Sequence, residues 1–177
     1  MEKLVRNGML LLAAIVSAFL LYKVSIYKLD SFRGLREVTT ITAEQREKQL
    51  DCLARNIYHE AGFEPFEGKV AVAQVTLNRS ESNKFPNDIC RVVYQKNVFM
   101  EKVVCQFSWY CESGPKTPPI HTKTYDECYT VAKKVLLEGF RLPSLTEAMY
   151  YHADYVNPKW NKEKITKIGR HIFYKDV

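Results

Sequence analysis

The sequence predicts an α+β domain, mostly helical, with a small antiparallel β element, preceded by an N-terminal helix apolar enough to span a membrane. Three observations predict it. An uncharged apolar run occupies Gly8–Tyr22. Two later segments, Leu50–Ala61 and Glu67–Arg79, carry apolar residues with the length and spacing of buried helices. Two short aromatic-rich stretches, Ala148–His152 and Arg170–Tyr174, have the character of paired strands.

The chain has 177 residues, of which 46% are hydrophobic and 12% aromatic, enough for one buried core plus an appendage and too apolar for a disordered binder. Its net charge of +6 is spread out, and no Lys/Arg run marks a nucleic-acid site. An anionic polymer or a membrane surface remains compatible with that charge. The eleven tyrosines fit core or interface positions, and exposed rings of this kind stack on sugars.

At the N-terminus, Lys3 and Arg6 precede the apolar run, Lys23 follows it, and Val24–Tyr27 is apolar again. A span needs about 20 apolar residues, and a snorkelling Lys23 extends this one to Tyr27. A secretory signal peptide starts in the same way, but no small-x-small cleavage site precedes the polar chain. Residues 1–27 therefore read as an uncleaved signal anchor, with the bulk of the chain exported by the positive-inside rule. Lys28–Thr40 is polar and aperiodic and reads as a tether, which leaves 41–177 as the folded domain.

Thr42 and Gln45 have capping-box spacing, so Thr42 is the expected N-cap of the first domain helix. Leu50, Leu53, Ala54, Ile57, Tyr58 and Ala61 then fall on one face, and Gly62 supplies the stop. Glu60 projects at the margin of that face and His59 away from it. A carboxylate at a core margin near a helix C-terminus is disfavoured in its charged form by desolvation and by the dipole. A carboxyl that holds its proton near neutral pH is suited to general acid catalysis. The same position also suits an ordinary boundary Glu that snorkels or pairs with Arg55 or Arg79.

Further along, Glu67–Arg79 is long enough to favour a buried helix despite its valines. Pro86 is placed to open a short helix through Tyr94, and Gln106–Tyr110 reads as extended. Pro115–Ile120 is a proline-rich loop. Thr124 and Glu127 repeat the capping-box spacing for a helix ending at Gly139, and a segment with Pro158 and Trp160 connects the two aromatic strands. The five cysteines, Cys52, Cys90, Cys105, Cys111 and Cys128, leave at least one thiol free or paired between chains. A bridge within the Cys90–Cys111 region is feasible, buried thiols are equally so, and the pairing stays open.

Several motifs occur together in one order. They are Tyr58-His59-Glu60-Ala61, Glu64-Pro65, Glu67-Gly68, Val70-Ala71-Val72-Ala73, Asn78-Arg79, Phe85-Pro86-Asn87, Cys90, Val93-Tyr94-Gln95, Gln106-Phe107-Ser108-Trp109, and a C-terminal set. That last set runs Met149-Tyr150-Tyr151-His152, Pro158, Trp160, Ile168-Gly169, His171 and Phe173-Tyr174. Over about Leu50–Lys175 the chain resembles the SleB-type cell wall hydrolase domain. The resemblance implies a single lysozyme-related α+β catalytic domain acting on the glycan strands of peptidoglycan.

The resemblance further implies that Glu60 is the catalytic acid. It protonates the bond between N-acetylmuramic acid and N-acetylglucosamine, then as carboxylate deprotonates the muramoyl 6-hydroxyl, which closes a 1,6-anhydro ring. That lytic transglycosylase route needs no carboxylate nucleophile, unlike two-carboxylate hydrolases. A hydrolytic muramidase is the alternative chemistry, and an inactive wall-binding protein the non-enzymatic one. Gln106, Phe107, Ser108, Trp109, Tyr151 and His152 line the glycan groove by the same resemblance, and Glu64 orients the site, while Glu67 is structural. The family commonly has Arg where Phe63 stands, which removes any pairing of that Arg with Glu64. Alternation puts Tyr151 on the opposite side of its strand from Tyr150 and His152, so these three cannot share one groove.

No cofactor is implied. His59-Glu60 lacks the second His of a zincin, because Phe63 occupies that position. A metal site from His59, His121, His152 and His171 is not demanded by their spacing. The expected partners are peptidoglycan glycan strands and, through the N-terminal segment, the inner membrane, with no nucleic acid. The expected location is membrane-anchored, facing the periplasm or cell wall.

Overall fold

With no charge from Gly8 to Tyr22 and no proline before Pro65, the N-terminal segment propagates as one helix, α1, spanning Glu2–Gly34. The computed structural model describes residues 2–34, 41–99, 101–112 and 121–177. These residues divide between two units, Met1–Thr42 and Ala43–Val177. Within the first, Asn7–Ile26 is long and apolar enough to cross a membrane, with a mean hydropathy of 2.2. α1 continues past Tyr27, so positions 28–34 of the expected tether are helical, and 35–40 lie outside the described residues.

The second unit is built on α2 (Ala43–Ala61) and α3 (Phe66–Glu81). α2 starts directly after Thr42, and Leu50, Leu53, Ala54, Ile57 and Ala61 are buried as the periodicity requires. Gly62 ends α2 through close approach and not through a left-handed backbone. Its N–H bonds Tyr58 O at 3.1 Å, and a Cβ there would lie 2.5 Å from that oxygen. α3 is buried without a break from Gly68 to Arg79, which accounts for its valine-rich, weakly amphipathic sequence. It packs against α2, α4 (Ile89–Val93) and α6 (Thr122–Leu136).

Several local expectations give way to competing interactions. α4 begins after Asp88, whose carboxylate accepts from the Arg91 N–H at 2.8 Å, so Asp88 and not Pro86 opens it. The α6 N-cap is His121, which leaves Thr124 inside the first turn and no capping box there. Gly139, at φ 71°, reverses the chain after α6 as expected. Gln106–Tyr110 is not extended: Ser108–Glu112 forms a short helix, α5. The expected loop at Pro115–Ile120 lies outside the described residues.

Two sheets form. The hairpin β1 (Lys96–Phe99) and β2 (Lys102–Cys105) has no counterpart in the sequence reading. The expected ribbon exists as β3 (Tyr150–Ala153) paired antiparallel with β5 (His171–Lys175). A third strand, β4 (Glu163–Ile168), pairs with the other edge of β5, so the order is β3-β5-β4. Phe173 on β5 is fully buried against Ala71 and Val75 of α3 and against Leu145 and Ala148. This seats the sheet on the helices.

Two disulfides are present. Cys52–Cys90 ties α2 to α4, and Cys105–Cys111 ties the end of β2 to α5. Cys128 is a buried free thiol in α6, pushed up by burial to about 11.

Candidate active site

The site begins with polar residues that the core has absorbed. Inside α3, Gln74 holds Leu142 twice, accepting from its N–H at 2.7 Å and donating to its carbonyl at 3.1 Å. Asn78 donates to the carbonyls of Leu145 and Ala148, both at 2.8 Å, and Arg79 Nε donates to Met149 O at 2.8 Å. These buried groups carry obligatory partners, because an unpaired one costs about 1–3 kcal/mol. Together they lay 142–149 along α3 and deliver β3 in a fixed register. Tyr151, the second residue of β3, then reaches the C-terminal end of α2, where its hydroxyl donates to Glu60 Oε2 at 3.0 Å.

Burial raises the proton affinity of Glu60, which is the largest influence on it. The Tyr151 hydrogen bond and the positive charge of Arg79 oppose that shift, and the negative charge of Glu112 adds to it. The balance lies above the ordinary glutamate value. Burial and the neighbouring carboxyl push Tyr151 well above the usual tyrosine range, so it stays a hydroxyl donor. Arg79 is 4% exposed and ringed by Phe85, Phe107 and Tyr151, with its guanidinium carbon 5.4, 5.2 and 6.0 Å from their centroids. Its Nη1 is buried with no hydrogen-bond partner. A carboxyl held towards its neutral form, with a fixed donor and a cation ready for its charged form, can give up a proton and take one back.

Of the other sequence-predicted residues, Trp109 is placed on the surface of α2. Its indole Nε1–H donates to Asn56 Oδ1 at 3.1 Å, and its ring stacks on His59 at 4.1 Å and 13°. Asn56 is itself buried and donates to Thr76 Oγ1 at 3.1 Å, so α5 is pinned through α2 to α3. Phe107 is 3% exposed and packs in the core beneath Arg79, which removes it from any groove wall. Ser108 is exposed at the start of α5, and Gln106 is half-buried, its N–H on Gln95 O at 2.9 Å.

Glu64 is turned to a structural task. Its Oε2 accepts from the Arg170 N–H at 3.0 Å, tying the α2–α3 turn to the β4–β5 turn. That bond occupies the carboxylate while Phe63 beside it stays 98% exposed. His152 points away from Glu60, as strand alternation requires. Its Nε2 meets the Tyr174 hydroxyl at 2.9 Å, and its ring stacks on that of Tyr174. Among the described residues no three His, Cys, Asp or Glu side chains gather as a metal-binding group. A shallow cleft of about 690 Å³ between α2 and α4, lined by Lys48, Asp88, Arg91 and Lys96 among others, does not include Glu60.

The family model for Cell Wall Hydrolase matches residues 63–174. The chain belongs to this family.

The family match begins just after Glu60. Longer alignments extend it: the spore cortex-lytic enzyme of Bacillus cereus is 28% identical over 141 residues, 77% of this chain and 48% of that protein. The spore cortex-lytic enzyme of Bacillus subtilis (strain 168) is 30% identical over 128 residues, 70% of this chain and 36% of that protein. This Cell Wall Hydrolase chain thus spans half or less of the length of these two relatives. Among solved structures, the catalytic domain of the Bacillus cereus SleB protein superposes with a TM-score of 0.54 at 27% identity, over 73% of this chain and 91% of that one. The catalytic domain of the germination-specific lytic transglycosylase SleB from Bacillus anthracis gives 0.54 at 30% identity, over 72% and 93%.

Within this family domain the structure adds residues that sequence reasoning passed over. Glu112 is one, brought into electrostatic reach of Glu60 by the Cys105–Cys111 bridge and α5, with no sequence spacing to announce it. Asn56 is another, an isolated polar residue on an apolar face, which is the one available signal for it. Arg79 is expected from the sequence as a partner of Glu60, but its ring cage is assembled from three separate segments.

Proposed function

We propose that this chain cleaves the glycan strand of peptidoglycan between N-acetylmuramic acid and N-acetylglucosamine, as a lytic transglycosylase with Glu60 as the single general acid and base. The observation that carries this reading is the half-buried Glu60 carboxyl, raised in proton affinity and hydrogen-bonded by Tyr151. Glu60 gives its proton to the glycosidic oxygen as the C1–O bond breaks, and the bonding pair leaves with the glucosamine oxygen. The resulting carboxylate is met by the Tyr151 donor and the Arg79 charge. It then takes the proton of the muramoyl 6-hydroxyl, whose oxygen bonds to C1 and closes the anhydro ring.

Hydrolysis is the second reading, and Glu112 is the observation that favours it. In this reading a second carboxylate, whose charge reaches Glu60, assists a water molecule in place of the substrate hydroxyl. In either case α1 supplies a membrane anchor and the domain acts on the wall side of the inner membrane.

Mass spectrometry of digested peptidoglycan tests the chemistry. Anhydro-muramoyl ends support transglycosylation and reducing ends support hydrolysis. Glu60→Gln is expected to lower turnover by about 100- to 10,000-fold with the fold intact. Full activity in that variant would sink the assignment. A chelator is expected to leave activity unchanged.

A further inference from the structure

The inner face of the β3-β5-β4 sheet serves Glu60, whereas its outer face carries a second group of rings that the reaction does not use. Tyr150, His152 and Tyr174 alternate with Tyr151 and Phe173 and lie on the opposite side. His152 and Tyr174 stack at 5.2 Å and 25° and are joined by the 2.9 Å hydrogen bond. Trp160, from the β3–β4 connection, lies near-perpendicular to both, with centroids at 5.5 and 5.9 Å, and against Tyr150 at 6.3 Å. Three rings therefore fix the indole from behind, yet 45% of Trp160 stays exposed. A large ring held rigid with an open surface loses little entropy when a ligand stacks on it.

The charge around this face is predominantly positive. From Pro158 to Val177 the cations Lys159, Lys162, Lys164, Lys167, Arg170 and Lys175 outnumber the carboxylates Glu163 and Asp176, although Lys167 and Lys175 also pair with Asp154 and Glu147. That is a net +4 within a chain of net +6. Lys84 and Lys162 both pair with Asp176, so one carboxylate answers two cations beside the rings. Lys162 Nζ also lies 3.9 Å from the Tyr150 centroid. Lys159 and Lys164 are exposed, and among the described residues no ion pair holds them.

We propose that this outer face is a second binding site for the anionic glycan strand of the wall, with Trp160 as its stacking platform, on the side of the sheet opposite Glu60. The ligand class follows from the two features together: pyranose rings offer C–H faces to an indole, and the carboxylates of the peptide stems answer the lysines. The inference rests on the wall-directed reading above. A site here holds the polymer while the catalytic face releases and rebinds it, raising the local substrate concentration.

The test separates binding from turnover. In the Glu60→Gln background, co-sedimentation with purified insoluble peptidoglycan is expected to weaken about tenfold on adding Trp160→Ala. In the active protein, Trp160→Ala is expected to slow digestion of insoluble wall while leaving turnover of a short soluble muropeptide within about twofold, a change of under 0.5 kcal/mol. Lys159→Glu with Lys164→Glu, both at exposed positions, is expected to weaken sedimentation without lowering the melting temperature. Unchanged sedimentation of the Trp160 and lysine variants overturns the proposal. So does an equal loss of turnover on soluble and insoluble substrates, or a Trp160 effect seen with single-stranded RNA but not with wall. Trp160-dependent sedimentation by a protein that releases no muropeptides supports this site and refutes the catalytic reading instead.

Discussion

The Tyr151 hydroxyl donates a 3.0 Å hydrogen bond to Glu60 Oε2, joining residues 91 positions apart. The bond favours the charged form of a carboxyl whose burial favours the neutral one, so Tyr151 holds back the rise that burial imposes on Glu60. In Tyr151→Phe that opposing pull is gone, and the proton affinity of Glu60 rises further. A general acid loses activity as pH climbs through its pKa, so the alkaline limb of the kcat/KM profile is expected to move to higher pH. Stability is expected to fall by about 1–2 kcal/mol from the lost, partly buried hydrogen bond. An unmoved limb counts against Tyr151 as the tuning group.

Glu60 also makes stability depend on pH. Its folded-state pKa lies above the ordinary 4.5, so the native state binds the proton more tightly than the unfolded chain. Its contribution is fully present below 4.5 and is lost as pH rises through the folded value. Glu60→Gln removes that loss. The variant is expected to melt above the wild type at pH 8, with the difference shrinking towards pH 4. Thermal unfolding at both pH values checks this, and a constant offset contradicts it.

The two disulfides predict separable effects. Their sequence separations of 38 and 6 correspond on chain-entropy scaling to roughly 4 kcal/mol for Cys52–Cys90 and roughly 2 kcal/mol for Cys105–Cys111. Cys105→Ser with Cys111→Ser is expected to keep the helical core, to which neither cysteine belongs, yet to lose activity as α5 with Trp109 and Glu112 comes loose. Cys52→Ser with Cys90→Ser is expected to lower the denaturation midpoint more. Chemical denaturation alongside a turnover assay reads both, and full activity in the Cys105/Cys111 double variant contradicts the first.

Gly169 and Glu64 are predicted to be coupled. Gly169 has φ 56°, and a Cβ there would sit 2.0 Å from Glu64 Oε2. Gly169→Ala is expected to cost about 2–3 kcal/mol, from backbone strain and from loss of the Glu64–Arg170 bond. Glu64→Ala relieves the clash, so the double variant is expected to cost less than the sum of the single ones. Additive denaturation energies would refute the coupling.

Much of this was legible in the residues. The buried faces of α2 and α3, the exit at Gly62, the pairing of the two aromatic strands and the marginal position of Glu60 follow from periodicity and local chemistry. Elsewhere a stronger interaction overrides the local signal. Pro86 suits a first helical turn, but the helix opens after Asp88, whose carboxylate bonds an otherwise unpaired N–H. Gln106–Tyr110 carries strand-like aromatics, but the bridge to Cys111 and the Trp109–Asn56 bond hold it as a turn and a short helix.

The sequence by itself determined the helical core, the apolar N-terminal segment and the marginal position of Glu60, because each depends on neighbours within a few positions. Tertiary structure decided which partners Glu60 meets. Tyr151, Arg79 and Glu112 reach Glu60 from three distant segments, and the buried amides of Gln74 and Asn78 fix the register that brings Tyr151 in. Strand alternation then separated Tyr151 from His152, sending one ring to the carboxyl and the other to the opposite face of the sheet. A pKa depends on burial and on charges close in space, and neither is a property of position along the chain.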